Sequence, residues 1–174
     1  MLIEDFLPKY DFAETHDIAV CASAEAVFSA VDEVDLSESW IVRGLLFLRG
    51  LPVGHLRLRD LRGSNFEVLG TRENEELLIG LAGKFWMPTG HLQKVNAGNF
   101  REFDKKGFAK AVWNFSVDTE RENETHLKTE TRIRCLDDES RRSFRFYWTF
   151  VQPFSGLIRT EMLKVIKKKA EMSA

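Results

Sequence analysis

The chain has 174 residues, 44% of them hydrophobic and 30% charged, with 25 Lys and Arg against 27 Asp and Glu for a formal net charge of −2. A chain of this length buries about 70% of its unfolded surface and can build a core without disulfides or metal; its mean hydropathy of −0.26 argues against an integral membrane protein. The apolar fraction is too high for a disordered chain, and 14 Phe with 4 Trp are a surplus that either lines something bulky and apolar or fills an irregular interior.

Residues 1–6 carry Glu4 and Asp5 where a secretory signal would carry positive charge, and no apolar core of a signal follows, which predicts a cytoplasmic protein. Phe12, His16, Ile18 and Val20 alternate with Ala13, Thr15, Asp17 and Ala19, the two-residue period of a half-buried first strand. Ser23 offers an N-cap, and Val27, Phe28, Val31 and Val34 fall at helical spacing, so a short helix is expected over residues 24–34. Asp35 and Glu38 form a capping-box pattern before the apolar run 40–48, which predicts a second short helix ending at Gly50-Leu51-Pro52. That run contains Arg43, is followed by Arg49, and is far short of the ~20 residues a membrane span needs. Residues 56–61 read as a short strand or a helical turn.

From residue 65 the texture becomes that of an antiparallel meander. Residues 66–72, 77–86, 100–103, 108–118 and 125–136 have β character and are separated by turn-forming residues. In the last two segments Ala109, Ala111, Trp113, Phe115 and Val117 share one face. Leu127, Thr129, Thr131, Ile133 and Cys135 oppose His126, Lys128, Glu130, Arg132 and Arg134, so one face of the sheet is expected to be covered and the other to meet water. Asp137, Asp138 and Glu139 suit a helix N-terminus, and residues 140–170 read helical. Phe144, Tyr147, Trp148 and Val151 form one apolar stripe, and Ile158, Met162, Val165 and Ile166 another. A straight helix of that length would be about 48 Å long in a molecule only ~40 Å across, so a kink or break is predicted at Pro153 with Ser155-Gly156. The expected fold class is α+β: an antiparallel sheet of six or seven strands, a long Pro-kinked C-terminal helix, and two short helices after strand one, in one domain.

This order of elements resembles the START-like superfamily, also called SRPBCC or helix-grip, which includes polyketide cyclase/dehydrase-like, pollen-allergen-like and lipid-transfer proteins. The stretches Gly80-Leu81-Ala82-Gly83-Lys84-Phe85-Trp86, Thr129-Glu130-Thr131-Arg132 and Tyr147-Trp148 through Arg159 look like a bacterial branch of it. The resemblance implies a strongly bent sheet gripping the long helix, with a cavity between them for an apolar or amphipathic ligand. Such a fold does not by itself fix the chemistry.

Recognisable catalytic signatures are missing. There is no phosphate-binding loop, since positions 78 and 85 are Leu78 and Phe85, and no GxGxxG, GxSxG or HExxH pattern. Cys21 and Cys135, without a Cys-x-x-Cys or a histidine at ligand spacing, read as buried reduced thiols, so no metal or cofactor is implied. The acid/base candidates are Glu14 and His16, which share the face of strand one that carries Phe12, Ile18 and Val20; the favoured alternative is a structural histidine at His16 and a Glu14 frayed into solvent. Arg43, Arg49, Arg57, Arg59 and Arg62 lie within twenty residues that contain no Lys, and Arg43 in particular is a candidate for the anionic head of a fatty acid or polyketide. The favoured alternative for these arginines, and for Arg159 likewise, is that they pair with the acids of residues 1–39 or lie in solvent.

Those residues hold ten acids and one base, a net −9 against +7 for the rest of the chain, so internal charge complementarity is expected. Candidate lining residues from the covered sheet face and the helix are Phe85, Trp86, Trp113, Phe115, Thr129, Thr131, Phe144, Tyr147 and Trp148, with a solid core as the alternative. Three functions follow in order: a binder or carrier of a small hydrophobic or amphipathic molecule, a cyclase or dehydratase, and an interaction module using the basic portion. No nucleic acid partner is expected; an edge strand or aromatic lip offers a surface for a homodimer.

Overall fold

The computed structural model describes residues 1–35, 66–121 and 124–173. The predicted second helix over 40–48, the segment 56–61 and Arg43, Arg49, Arg57, Arg59 and Arg62 lie outside them. The described elements are α1 (Leu2–Phe6), β1 (Phe12–Val20), α2 (Ala24–Glu33), β2 (Glu67–Arg72), β3 (Glu76–Gly83), β4 (Ala109–Arg121), β5 (Glu124–Cys135) and α3 (Asp138–Met172). All strand pairs are antiparallel and the sheet order is β1-β5-β4-β3-β2. A five-stranded antiparallel sheet with a long C-terminal helix is a helix-grip-like α+β arrangement.

Five strands stand among the described residues where six or seven were expected. The segment 100–103 is not a strand, because asparagine turn chemistry wins over its apolar pattern. Asn96 Oδ1 accepts from the backbone N–H of Gly98 and Asn99, and the N–H groups of Phe100 and Phe103 reach back to the carbonyls of Asn96 and Asn99. β3 likewise ends at Gly83, which leaves Phe85 and Trp86 in a turn rather than on the sheet.

The expected break in the C-terminal helix is absent, as α3 runs for 35 residues with Pro153 inside it. Asp137 caps it, accepting from Ser140 N at 2.7 Å while Ser140 Oγ accepts from Asp137 N in a capping box. Two clusters then anchor the helix. Phe144 packs with Ile133 and Cys135 near its start, and Met162, Leu163, Ile166 and Ala170 pack with α2 and the sheet near its end. Thr149 and Pro153 are both exposed, so water can take up the carbonyl whose donor the proline ring removes. The solvent face of this stretch carries Phe146, Phe150, Phe154 and Leu157.

The face expected to meet water is partly roofed. The unanticipated helix α1 lays Ile3, Phe6 and Leu7 on Leu69, Leu78 and Val112, with Phe100 inserted beside them. Beneath it Glu76 accepts from Leu2 N at 2.6 Å and Asn114 Nδ2 at 2.8 Å, and Arg132 donates to Glu130 and Glu4, each at 2.6 Å. Glu130 and Arg132 are therefore buried, whereas Arg134 stays exposed. The acidic N-terminal region does pair with bases from the rest of the chain: Glu4 with Arg132, Asp5 with Arg72, Asp11 with Arg141, and Glu33 with Lys169. Cys135 is buried as expected, but Cys21, just past the end of β1, is exposed.

Candidate functional site

Strand alternation turns Phe12, Glu14, His16, Ile18 and Val20 of β1 toward α3. The register then builds rows across that inner face. Glu14 stands opposite Thr131, which stands opposite Trp113; His16 stands opposite Thr129, which stands opposite Phe115. The flanking rows are apolar, Phe12 with Ile133 and Ala111 on one side and Ile18 with Leu127 and Val117 on the other. A two-row polar band thus crosses an otherwise apolar surface.

Within the band, Glu14 Oε1 and His16 Nε2 are 3.0 Å apart, and the Glu14 side chain is only 9% exposed against 27% for His16. Trp113 Nε1 donates to Thr129 Oγ1 at 2.8 Å, and that hydroxyl donates in turn to the Asn114 carbonyl at 2.7 Å. These bonds satisfy the indole and one threonine, which leaves the charged members as the open positions.

α3 supplies the roof. Gly156 sits over the Glu14–His16 pair, where a β-carbon would come within 2.9 Å of Glu14 Oε1. One turn further on, the Arg159 guanidinium carbon lies 4.1 Å from the centroid of the Trp113 ring, a cation–π contact. Among the described residues, Arg159 Nη1 has no hydrogen-bond partner and is shut off from solvent, and the same holds for Glu14 Oε2. Desolvation lowers the Arg159 pKa to about 10, and the nearby Glu14 charge acts the other way. A guanidinium and a carboxylate therefore share one interior region, each with an unused hydrogen-bonding position.

The predicted lining residues divide into two groups. Trp113, Phe115, Thr129 and Thr131 join Glu14 and His16 in the polar band. Phe85, Trp86, Tyr147 and Trp148 surround the buried Phe144 instead, with ring centroids 5.6–6.4 Å from it. Phe12 touches that cluster at 4.9 Å and stands two residues before Glu14, so the aromatic group borders the band at one end. Two open grooves, of about 280 Å³ beside Tyr10, Asp11 and Arg141 and of about 420 Å³ beside Ile18, Lys164 and Lys168, are lined by neither group.

Two members of the site carry signals that the sequence pattern contains. Arg159 falls in phase with the stripe Phe144, Trp148, Val151, Ser155, Met162 and Ile166, at steps of three and four, so a charge interrupts an apolar helix face. Gly156 resembles a helix breaker, and only the fold reveals it as a point of close approach. Among the described residues no three His, Cys, Asp or Glu side chains converge to hold a metal ion, and no helix is long and apolar enough to cross a membrane. Comparison with protein-family models and with curated proteins finds no match for the chain.

Proposed function

We propose that this protein binds or carries a small apolar or amphipathic molecule between the inner face of its sheet and α3, in the manner of a START-like (SRPBCC) domain. The observation that carries the reading is two enclosed polar atoms, Glu14 Oε2 and Arg159 Nη1, that have no partner among the described residues. Enclosing a polar group without a partner costs about 1–3 kcal/mol, more for a charged one, so two in one interface point to a guest that completes them. The helix also suits entry. Its fully buried side chains are Ser140 and Phe144 at one end and Met162, Leu163, Ile166 and Ala170 at the other. The intervening turns, which lie over the polar band, carry no fully buried side chain.

Native mass spectrometry of freshly purified protein tests this. A co-purifying organic molecule, or stoichiometric uptake of an added alkyl amphiphile, is expected. A protein that carries nothing and takes up nothing has no such function.

The contact between Glu14 and His16 favours a second reading, acid–base catalysis of the cyclase or dehydratase kind. When Nε2–H of His16 donates a hydrogen bond to Glu14 Oε1, the carboxylate fixes the imidazole and leaves Nδ1 as the basic nitrogen. Under this reading His16→Gln abolishes turnover of the bound molecule but leaves binding within a few fold of wild type.

A further inference from the structure

Resting on that binding reading, we propose that the polar end of the ligand is an uncharged group that both donates and accepts hydrogen bonds, such as a hydroxyl or a carboxamide, and that carboxylate and ammonium head groups are rejected. The argument starts from what is already in the band. Glu14 Oε2 is acceptor-only when ionised, and Arg159 Nη1 is donor-only, and both are enclosed without partners among the described residues. One ligand group satisfies both only if it gives a proton to the carboxylate and offers a lone pair to the guanidinium. A hydroxyl does this with a single oxygen, and a primary amide does it with its N–H and its carbonyl.

Charge balance leads to the same class. The Glu14 side chain is 91% buried, given its 9% exposure, and the Arg159 guanidinium lies over the Trp113 ring. The two opposite charges already offset each other across the band. A carboxylate would set two anions against one guanidinium and would leave Glu14 Oε2 without a donor. An ammonium would set two cations against one carboxylate and would leave Arg159 Nη1 without an acceptor. Each therefore introduces an uncompensated charge in a poorly solvated interior, which is the costly outcome there. The apolar rows on either side, Phe12 with Ile133 and Ile18 with Leu127, suit the alkyl or ring portion of the same molecule.

The test uses four probes of equal chain length, 1-decanol, decanamide, decanoate and decylammonium, titrated into the full chain at pH 7.5. Binding is read by tryptophan fluorescence and stoichiometry by native mass spectrometry. Decanol and decanamide are expected to bind about tenfold or more tightly than either charged probe. Equal binding of all four, or tightest binding of decanoate or decylammonium, overturns the head-group assignment while leaving the binding function standing. Binding of none overturns both, and water then completes the band. Glu14→Gln supplies a second arm: with the anion removed, decanoate should gain about tenfold relative to decanol. A folded Glu14→Gln protein with unchanged selectivity also overturns the assignment; if the variant does not fold, the wild-type series decides alone.

Discussion

Gly156 of α3 rests directly on the Glu14 carboxylate of β1: a β-carbon at position 156 would stand 2.9 Å from Glu14 Oε1. His16 Cε1 would lie 3.4 Å from the same atom. The absence of a side chain at this one turn is what lets a 35-residue helix close over two polar residues of the sheet.

The two effects of Gly156→Ala should offset each other in the wild type and separate once Glu14 is truncated. Alanine gains about 1 kcal/mol over glycine in a helix interior, but its methyl must displace the Glu14 carboxylate from His16. In urea unfolding, Gly156→Ala is expected to be nearly neutral alone and to stabilise a Glu14→Ala background by about 1 kcal/mol. Equal effects in the two backgrounds would show that the glycine accommodates something other than this carboxylate.

Glu14 and Arg159 place opposite charges in one interior region, an arrangement that a purely structural interface would not need. Arg159→Met leaves an enclosed carboxylate without its opposite charge and should cost about 1–3 kcal/mol. Glu14→Gln/Arg159→Met removes both charges and should be at least as stable as wild type in thermal melts. A double variant less stable than the Arg159→Met single would mean that the pair serves folding rather than binding.

The two thiols should differ in reactivity. Cys21 is exposed, whereas Cys135 is buried and its thiol is pushed up to about 12, first by burial and then by the Asp11 charge. Iodoacetamide at pH 8 is expected to add one carbamidomethyl group to the native protein, at Cys21, and a second only after denaturation. Rapid labelling of Cys135 in the native state would contradict the packing around Phe144.

Acid should weaken the start of α3 and its junction with the sheet. Backbone donors at Ser140 and Gly107 hold the Asp137 carboxyl below the usual carboxylate range, and the Arg132 hydrogen bond does the same for Glu4. With folded pKa values below unfolded ones, this stability is complete above the usual range of about pH 4–4.5 and is lost as pH falls below it through the depressed values. Asp137→Asn keeps a good N-cap but removes the ionisation. The drop in melting temperature between pH 7 and pH 3 should therefore be smaller in that variant than in wild type, and an equal drop would count against the assignment.

Period and punctuation alone determined much of this protein. Alternation in residues 12–20, 109–117 and 127–135 sets the strands and their faces, and helical spacing with Ser23 and Asp137 caps sets α2 and α3, because these patterns report which side of an element is buried. The same alternation puts Glu14 with His16, and Thr129 with Thr131, on the apolar face of their own strands, and the register joins the two. Tertiary structure decided what the pattern could not carry. Pro153 stays inside a continuous helix because packing at both ends outweighs a local penalty of about 3 kcal/mol. The apolar residues 100–103 became an asparagine-directed turn, and α1 covered Glu130 and Arg132, because partners from distant parts of the chain supplied the deciding contacts. Gly156 and Arg159 acquired their meaning in the same way: a glycine in a helix and a charge in an apolar stripe become a site only when the fold sets them against Glu14 and Trp113.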